Sequence, residues 1–295
     1  MVVAATGFFD GVHLGHRVIL DRVRSVAVDT GLKSSVVTFW PHPRTVLQQD
    51  ADRLRLLTSL EEKRNLVTGT GIDKVEVIPF DRSFSALSAG EFIRKVLIDK
   101  YGVSTLVLGY DHRFGHDAPS DVRLLADRVL ACGIEPVICG RYVMPDGTAV
   151  SSTEIRKALD GSRVEDAGRM LGYAYSLSGV VVAGNRIGRT LGFPTANMEL
   201  YDPLKAVPGN GVYQVDVSVC GNSYKGVCNI GVRPTIGSGG MRVIETHILD
   251  FNEDIYGLDI RISFLKYIRP ERKFDSLKEL QLRLQKDILA AGESL

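Results

Sequence analysis

The hydrophobic pattern of the chain changes its period near residue 175. Before that point, short apolar runs alternate with segments whose apolar residues recur every three or four positions, as in amphipathic helices. After it, apolar and polar residues alternate with a period of two, which is typical of antiparallel strands with one buried face. A length of 295 residues is about twice the ~150 residues of a typical domain. We therefore expect two domains, 1–174 and 175–295, of different fold classes.

The first half predicts a Rossmann-like α/β domain. The runs VVAAT, SSVVTFW, STLVLG and IEPVIC are typical of strands, and a helix is expected over about 16–29, ending at Gly31. Two capping boxes, Ser59 with Glu62 and Ser88 with Glu91, indicate the starts of further helices. Strands alternating with helices form a mostly parallel sheet, and ligands bind at the carboxyl ends of its strands.

The second half predicts a compact antiparallel β-barrel with a terminal helix. VYQVDVSV and YKGVCNIG flank a turn at CGNS, while RVIETHILDF and LDIRISFLKYI flank a turn at NED and are expected to form a hairpin. Several short strands in about 110 residues favour a barrel. A helix is expected after Ser276, with Glu279 completing its capping box.

Composition excludes several classes of function. Lys plus Arg number 36 and Asp plus Glu 35, a net charge of +1, which argues against nucleic-acid binding by bulk charge. Apolar runs fall far short of the ~20 residues of a membrane span, and the first residues lack the charged start of a signal peptide. We therefore expect a cytoplasmic protein without nucleic-acid or membrane partners. The four cysteines form no CxxC pair and are expected to be free thiols.

The first glycine-rich loop, GFFDGVHLGH, runs from Gly7 to His16 between a strand and a helix. Its spacing is neither the GxGxxG fingerprint of dinucleotide sites nor a Walker A loop. Backbone N–H groups at a helix start form an anion site, and His13 and His16, three residues apart, can both face it. The loop is therefore either a phosphate site or a tight turn with a capping histidine.

A second helix start, SSTEIR, has the same character. A capping box accounts for Ser151 and Glu154 but not for Arg156, whose charge is unfavourable near the positive end of a helix unless an anion binds there. Two anion-receptive helix starts without an acid–base dyad suit transfer of a nucleotide to an acceptor that is already anionic. Such a transfer needs charge neutralisation and alignment rather than a general base.

The second glycine-rich segment, GNRIGRTLGFPTAN, begins at Gly184. Its glycines allow the backbone to approach phosphates closely. Thr195 and Asn197, two apart on an extended segment, direct their oxygens to the same side and could hold Mg²⁺ with ATP; an Asx-type turn is the alternative. Further along, Glu245 shares a strand face with Val243 and His247. It is either a solvated carboxylate, which the residues alone favour, or a base.

Ten segments together resemble the family of prokaryotic bifunctional riboflavin kinases and FAD synthetases (FMN adenylyltransferases). They are GFFDGVHLGH, TFWPHP, LGYDHRFG, SSTEIR, GRTLGFPTANM, PGNGVY, CNIGVRPTIG, IETHILDF, DIYG and IRPERKF. The resemblance covers nearly the whole chain. It implies phosphorylation of riboflavin by ATP to FMN, then adenylylation of FMN by ATP to FAD with release of pyrophosphate. A related cytidylyl- or pantetheine-phosphate adenylyltransferase would not need the second half.

The resemblance also assigns residues to the adenylyltransferase site. The catalytic set, which would hold the ATP phosphates, is His13, His16 and Arg156. The ATP-binding set of this half is Gly7, Asp10, Gly11, Gly15, Asp111, Ser152 and Thr153. His42 lies where the family lines its flavin pocket, although Pro-His-Pro is also a rigid strand exit. Two positions depart from the family pattern: Phe8 stands where Asn is frequent, and His112 where Phe is usual.

For the kinase site, the resemblance makes Glu245 the base that takes the proton from the ribityl hydroxyl of riboflavin. Thr195 and Asn197 would hold Mg²⁺, and Arg269 would bind the flavin or its new phosphate unless it is a solvated charge. The ATP-binding set of this half is Gly184, Gly188, Arg189, Gly192, Thr195 and Asn197. The expected ligands are Mg²⁺, ATP, riboflavin, FMN and FAD, bound by a monomer or weak homo-oligomer.

Overall fold

The computed structural model describes residues 1–47, 54–184, 192–233, 241–272 and 277–292. The chain divides into two compact units, Met1–Ser152 and Thr153–Leu295. None of the helices in these ranges is long and apolar enough to cross a membrane.

The first unit is built on a five-stranded parallel sheet of order β3-β2-β1-β4-β5. Its strands are β1 (Val2–Thr6), β2 (Lys33–Trp40), β3 (Lys74–Pro79), β4 (Val103–Leu108) and β5 (Glu135–Ile138). The prediction of a Rossmann-like sheet is confirmed, with β3 as an additional edge strand. Because β1 lies between β2 and β4, the loops after β1 and β4 leave neighbouring strands at the same edge, where such sheets bind ligands.

The helices of the first unit begin and end where local sequence directs. They are α1 (Leu14–Thr30), α2 (Pro43–Leu47), α3 (Leu60–Thr68), α4 (Arg82–Ser85), α5 (Ala89–Glu91) and α6 (Val122–Ala131). Gly31 ends α1 in the left-handed conformation, at φ 66°. Both predicted capping boxes are present, at Ser59 and at Ser88. A π-helical segment, Phe92–Ile98, continues directly from α5.

Apolar side chains cover both faces of the parallel sheet. Ala4 and Leu106 belong to one buried cluster, whereas Val3, Ala5 and Val107 belong to another. This division follows from the alternation of side chains along a strand. The strands are therefore mainly apolar, with a few buried hydroxyl groups such as that of Thr38 on β2.

The second unit is a closed six-stranded antiparallel barrel of order β10-β7-β6-β11-β8-β9, as predicted. Its strands are β6 (Ser176–Val182), β7 (Ala196–Leu200), β8 (Gly211–Val219), β9 (Asn222–Arg233), β10 (Met241–Ile248) and β11 (Asp259–Arg269). Its helices are α7 (Ser152–Asp160), whose first residue still belongs to the first unit, α8 (Val164–Leu171) and α9 (Leu277–Gly292). The terminal helix α9 packs on β8 and β9. Ser276, its expected cap, lies outside the described residues.

One predicted hairpin is present and the other is wrong. β8 and β9 pair directly through the turn at Cys220 and Gly221, both with positive φ. β10 and β11 do not pair with each other: β10 lies between β7 and β9, and β11 between β6 and β8. The connection between them runs to β6 instead, where Val181 exchanges backbone hydrogen bonds with Gly257 and Leu258. The alternating pattern located both strands, but pairing is set by closure of the barrel.

Candidate active sites

The loop from Gly7 to His16 has a backbone that its residues would not adopt on their own. Phe9, Gly11 and Val12 all have positive φ, at 53°, 80° and 38°. For a residue other than glycine this conformation costs about 1–2 kcal/mol. Contacts with the rest of the first unit must therefore hold the loop in shape.

His13 and His16 form a stacked pair at the N-terminus of α1. Their ring centroids are 3.6 Å apart with 14° between the planes, and Nδ1 of His13 accepts a hydrogen bond from the backbone N–H of His16 at 3.3 Å. Burial first, then the neighbouring His13 and Lys63, lower the pKa of His16 well below its usual range. Nδ1 of His16 is buried and has no hydrogen-bond partner within the described part of the chain. His16 thus combines a neutral imidazole with a buried ring nitrogen, Nδ1, that has no hydrogen-bond partner among the described residues.

Asp10 fastens the loop to the segment that precedes α3. Its carboxylate, in a residue only 4% exposed, accepts hydrogen bonds from the backbone N–H groups of Leu57 and Thr58 at 3.0–3.1 Å. The Thr58 hydroxyl donates to the same carboxylate and accepts from the N–H of Gly11. The carboxylate has a structural function here, and the predicted role of Asp10 in ATP binding stays a prediction.

Lys63, on α3, is a functional candidate that sequence analysis missed. The residue is 0% exposed, and its Nζ donates to the Phe8 carbonyl at 2.9 Å and to Thr38 Oγ1 at 3.3 Å. Burial lowers the pKa of Lys63 to about 8, although the charge of Asp10 opposes this shift. Its spacing could have indicated this position. Lys63 precedes the buried Val67 by four residues on α3, so both lie on the helix face where apolar residues are expected.

Aromatic side chains line the side of the loop that faces the end of β2. The Phe8 ring stacks on Trp40 at 6.3 Å and meets the His42 ring edge-on at 4.2 Å between centroids. Nδ1 of His42 accepts a hydrogen bond from the backbone N–H of Arg44. The structure thus brings His42 beside the loop while also giving it a role in shaping the strand exit. Phe8, which departs from the family pattern, is the loop residue that contacts His42.

Four other residues predicted for this site are Asp111, Ser152, Thr153 and Arg156. Ser152, the last residue of the first unit, donates a hydrogen bond to the Asp10 carbonyl at 2.9 Å. Asp111 is exposed in the loop after β4, and burial lowers the pKa of the adjacent His112 to about 4. Thr153 and Arg156 continue α7 in the second unit. Their part in a phosphate site stays a prediction.

In the second unit, three polar side chains stand in one row across neighbouring strands. Glu245 on β10 is directly opposite Asn197 on β7 and Asn229 on β9. Opposite residues of antiparallel strands project from the same face with Cβ atoms about 4.5–5.5 Å apart. Asn197 is 7% exposed and Glu245 is half-buried, so the carboxylate is not a freely solvated edge residue. Asn229 was not predicted, because its position depends on strand pairing.

A cleft of about 200 Å³ opens beside the start of β7. Thr195 lines it together with Thr246, and the acidic pair Glu253 and Asp254 lies at its border. The other lining residues are Val181, Pro194, Ala196, Ile248, Phe251, Asn252, Ile255 and Tyr256. A concave site that combines apolar side chains with polar groups can bind a small molecule.

Gly184 allows Asn197 to take its buried position. A Cβ added at Gly184 would lie 2.1 Å from Nδ2 of Asn197, closer than any real contact. Gly192 has φ +84°, which favours glycine. Gly188 and Arg189, the other two predicted residues of this segment, lie outside the described residues.

Arg269 is part of a buried ion cluster and not a solvated charge. Its guanidinium binds the Asp287 carboxylate through Nε and Nη2 at 2.7–3.0 Å, and these side chains are 10% and 1% exposed. Arg283 donates to the same carboxylate at 3.1 Å. The cluster fastens α9 to the end of β11. A contact of Arg269 with flavin or phosphate stays a prediction.

The described residues offer donors for a hard cation but no cluster of histidine, cysteine or carboxylate ligands. Among them, no group of three or more His, Cys, Asp or Glu side chains could hold a metal ion. Thr195 and Asn197 supply a hydroxyl and an amide oxygen, which suit an ion that also binds nucleotide phosphates. The four cysteines are free thiols, as predicted.

A parallel sheet with a histidine pair in its first loop and a barrel with a half-buried carboxylate between two asparagines fit a two-unit transferase that uses nucleotides. Comparison with known proteins agrees. Residues 1–154 match the family model described as FAD synthetase, and residues 171–295 match the model described as riboflavin kinase.

Relatives extend this match over nearly the full chain. The bifunctional riboflavin kinase/FMN adenylyltransferase of Pseudomonas fluorescens is 39% identical, covering 98% of this chain and 91% of the relative. That of Bacillus subtilis is 38% identical, covering 97% and 90%. A crystal structure titled as a macrolide-efflux protein from Streptococcus pneumoniae superposes with a TM-score of 0.90 at 31% identity, covering 99% and 95%. Macrolide efflux is a description of that protein and not of this chain.

The chain therefore belongs to the bifunctional riboflavin kinase/FMN adenylyltransferase family. It phosphorylates riboflavin with ATP to form FMN and adenylylates FMN with ATP to form FAD.

Proposed function

We propose that the Gly7–His16 loop and α1 bind the phosphates of ATP for adenylyl transfer. The observation that carries this proposal is the stacked pair of His13 and His16 at the N-terminus of a 17-residue helix. A phosphate oxygen of FMN would attack the α-phosphorus of ATP, and the bond to the bridging oxygen of pyrophosphate would break. The attacking phosphate is already an anion and needs no base. The imidazole N–H and backbone N–H groups would bind the pyrophosphate oxygens as they gain charge.

The kinase reaction requires a different group, because its nucleophile is an alcohol. Glu245 would accept the proton of the ribityl hydroxyl as the hydroxyl oxygen attacks the γ-phosphorus of ATP and ADP leaves. Its half-buried position between Asn197 and Asn229 supports this role, since two amide groups can fix the direction of one carboxylate. Arg269 stands at the end of β11, and its contact with flavin remains part of the proposal.

Mg²⁺ fits beside Thr195 and Asn197. Thr195 borders the cleft, and Asn197 is held against Gly184, so that a hydroxyl and an amide oxygen are placed at the start of β7. When bound with ATP, the ion would neutralise charge on the transferred phosphoryl group. We infer that ATP of the kinase reaction occupies this cleft, with Gly184 and Gly192 in the segment nearest its phosphates.

One assay tests both activities. The full chain is incubated with ATP and either riboflavin or FMN, with Mg²⁺ or with EDTA, and the flavins are separated by chromatography. Riboflavin should yield FMN and then FAD, and supplied FMN should yield FAD. EDTA should abolish FMN formation. FMN formation that continues in EDTA would contradict the metal site at Thr195 and Asn197.

The boundary between the activities is proposed at 174/175. Helices α7 and α8 precede it, but α8 packs on β11, and the N–H of Tyr267 donates to Glu165. We therefore expect both 153–295 and 175–295 to make FMN, with 175–295 the less stable. Failure of both fragments to form FMN, while the full chain is active, would contradict a separable kinase.

Cytoplasmic location, lack of nucleic-acid partners and a monomeric or weakly oligomeric state stay predictions. Light scattering after gel filtration tests the oligomeric state.

A further inference from the structure

We propose that Lys63 is a positioning residue for adenylyl transfer: its buried ammonium fixes the shape of the Gly7–His16 loop, and its charge acts on His16. The inference rests on the proposed role of His16 and adds a residue that neither motif nor resemblance assigned.

The Lys63 ammonium contacts the Gly7–His16 loop at Phe8, and it contacts β2 at Thr38. Nζ donates to the Phe8 carbonyl at 2.9 Å and to the Thr38 hydroxyl at 3.3 Å, and the Thr38 hydroxyl donates to the same carbonyl at 3.2 Å. Nζ also lies 3.5 Å from the centroid of the Phe8 ring. Two donors thus hold the peptide that immediately precedes Phe9, the first residue of the loop with positive φ. These hydrogen bonds oppose the return of Phe9 to a negative φ angle.

Packing alone does not explain a lysine at this position. A fully buried ammonium loses its hydration, which is unfavourable, and a methionine of similar length would fill the space without that loss. Two titratable groups interact with this ammonium, the Asp10 carboxylate and the His16 imidazole. Asp10 stabilises the ammonium and is itself bound to the segment before α3. The charged Lys63 side chain is therefore one of the groups that hold the Gly7–His16 loop in its conformation.

This charge has two consequences for the reaction. It helps to lower the pKa of His16, so His16 meets ATP as a neutral imidazole whose one N–H group can donate to a phosphate oxygen. It also places a fixed positive charge, poorly screened by water, beneath the loop proposed to receive pyrophosphate. Attraction to the leaving group grows as its charge grows, which accelerates the chemical step more than it tightens ground-state binding.

Lys63→Met is the decisive variant, with Lys95→Met as the matched control because Lys95 is exposed and its pair with Glu91 lies on the surface. We expect Lys63→Met to lower kcat for FAD formation from FMN at least tenfold, with a smaller change in KM for ATP. In the same protein, FMN formation from riboflavin should be unchanged. The NMR titration of the His16 ring should move upward, toward pH 6.5. Lys63→Arg, which restores the charge, should recover part of kcat.

Two further measurements keep the proposal testable if Lys63→Met does not fold, which the fluorescence of Trp40 would reveal. Thr38→Val, which retains the ammonium, should lower kcat two- to fivefold. In the wild-type protein, a His16 ring that titrates near pH 6.5 would overturn the proposed charge effect. Unchanged kcat and unchanged His16 titration in folded Lys63→Met would overturn the whole inference. If His16→Ala leaves FAD formation intact while Lys63→Met lowers it, the role of His16 fails and loop support by Lys63 stands.

Discussion

Glu245 and Asn197 lie directly opposite each other on β10 and β7, so the proposed base and a proposed magnesium ligand share one level of the barrel. Paired residues on adjacent strands cannot move far apart without breaking the ladder between them. The geometry that joins proton acceptance to phosphate binding is therefore fixed by backbone hydrogen bonds.

Glu245→Gln should separate the two reactions. The amide is nearly the same size but cannot accept the ribityl proton, so FMN formation should fall on the order of a hundredfold or more. FAD formation from supplied FMN should be normal. Glu199→Gln is the control, because Glu199 is an exposed carboxylate on the neighbouring β7. Riboflavin phosphorylation near the wild-type rate in Glu245→Gln would exclude Glu245 as the base.

Gly184→Ala should weaken ATP binding by the kinase. The new methyl group would overlap the Asn197 amide and displace it from its position opposite Glu245. We expect KM for ATP in FMN formation to rise about tenfold, or about 1.4 kcal/mol. Gly168→Ala, on α8 with only an ordinary contact for the added Cβ, is the control. An unchanged KM for ATP and Mg²⁺ would place the metal ligands elsewhere.

His16→Ala should have the opposite selectivity to Glu245→Gln. FAD formation from FMN should fall well over tenfold, mainly in kcat, while FMN accumulates from riboflavin at the normal rate. His116→Ala, an exposed histidine in the first unit, is the control. If FAD formation stays within about threefold of wild type, a difference below 1 kcal/mol, His16 does not bind the phosphates in the transition state.

The first unit should lose stability in mild acid. Burial lowers the pKa of His112 to about 4, against 6.5 in an unperturbed histidine. Between these values the unfolded chain binds a proton that the folded chain does not, so the free energy of unfolding falls as the pH drops from 6.5 toward 4. The loss is up to about 1.4 kcal/mol per pH unit, and His16, with its lowered pKa, adds to it.

Urea unfolding between pH 4.5 and 7.5, followed by the fluorescence of Trp40, measures this dependence, because Trp40 is the single tryptophan and lies in the first unit. The variant His112→Phe should flatten the profile, since it removes one of the two titrating groups. Parallel profiles of variant and wild type would show that the His112 ring is protonated normally in the folded protein.

Asp287→Asn should loosen α9. Breaking a buried ion cluster by neutralising one partner costs about 3–5 kcal/mol, so FMN formation should be inactivated at lower temperature. Asp216→Asn is the control: its pair with Lys225 is exposed and contributes at most about 1 kcal/mol. Trp40 fluorescence should report an unchanged first unit. A kinase as heat-stable as wild type would mean that the cluster does not hold the helix.

Sequence reasoning predicted what local chemistry determines. The ends of α1, α3 and α5 follow from Gly31, Ser59 and Ser88, whose side chains or backbone freedom act on their own neighbours. The proximity of His13 and His16 follows from their spacing at the start of α1, although the stacking of their rings was not predicted. Each of these signals needs only a few adjacent residues.

Features that depend on distant segments were missed. Nothing near β10 shows that its partners are β7 and β9, so its hairpin with β11 was predicted wrongly and Asn229 was overlooked. Lys63 resembles an ordinary helical lysine until β2 and the first loop are folded around it. Arg269 is similar, because Asp287 reaches it only when α9 lies on the barrel.

The pairing of β6 with β11 has a consequence for synthesis on the ribosome. The first of these strands begins at Ser176 and its partner ends at Arg269, so β6 must wait for most of the barrel to be translated before that edge is covered. The five strands of the parallel sheet are complete once Ile138 has emerged. A ribosome that stalls between these points leaves a finished adenylyltransferase sheet joined to an open barrel with bare strand edges. Unpaired strand edges of this kind promote aggregation until the last strand of the barrel has been made.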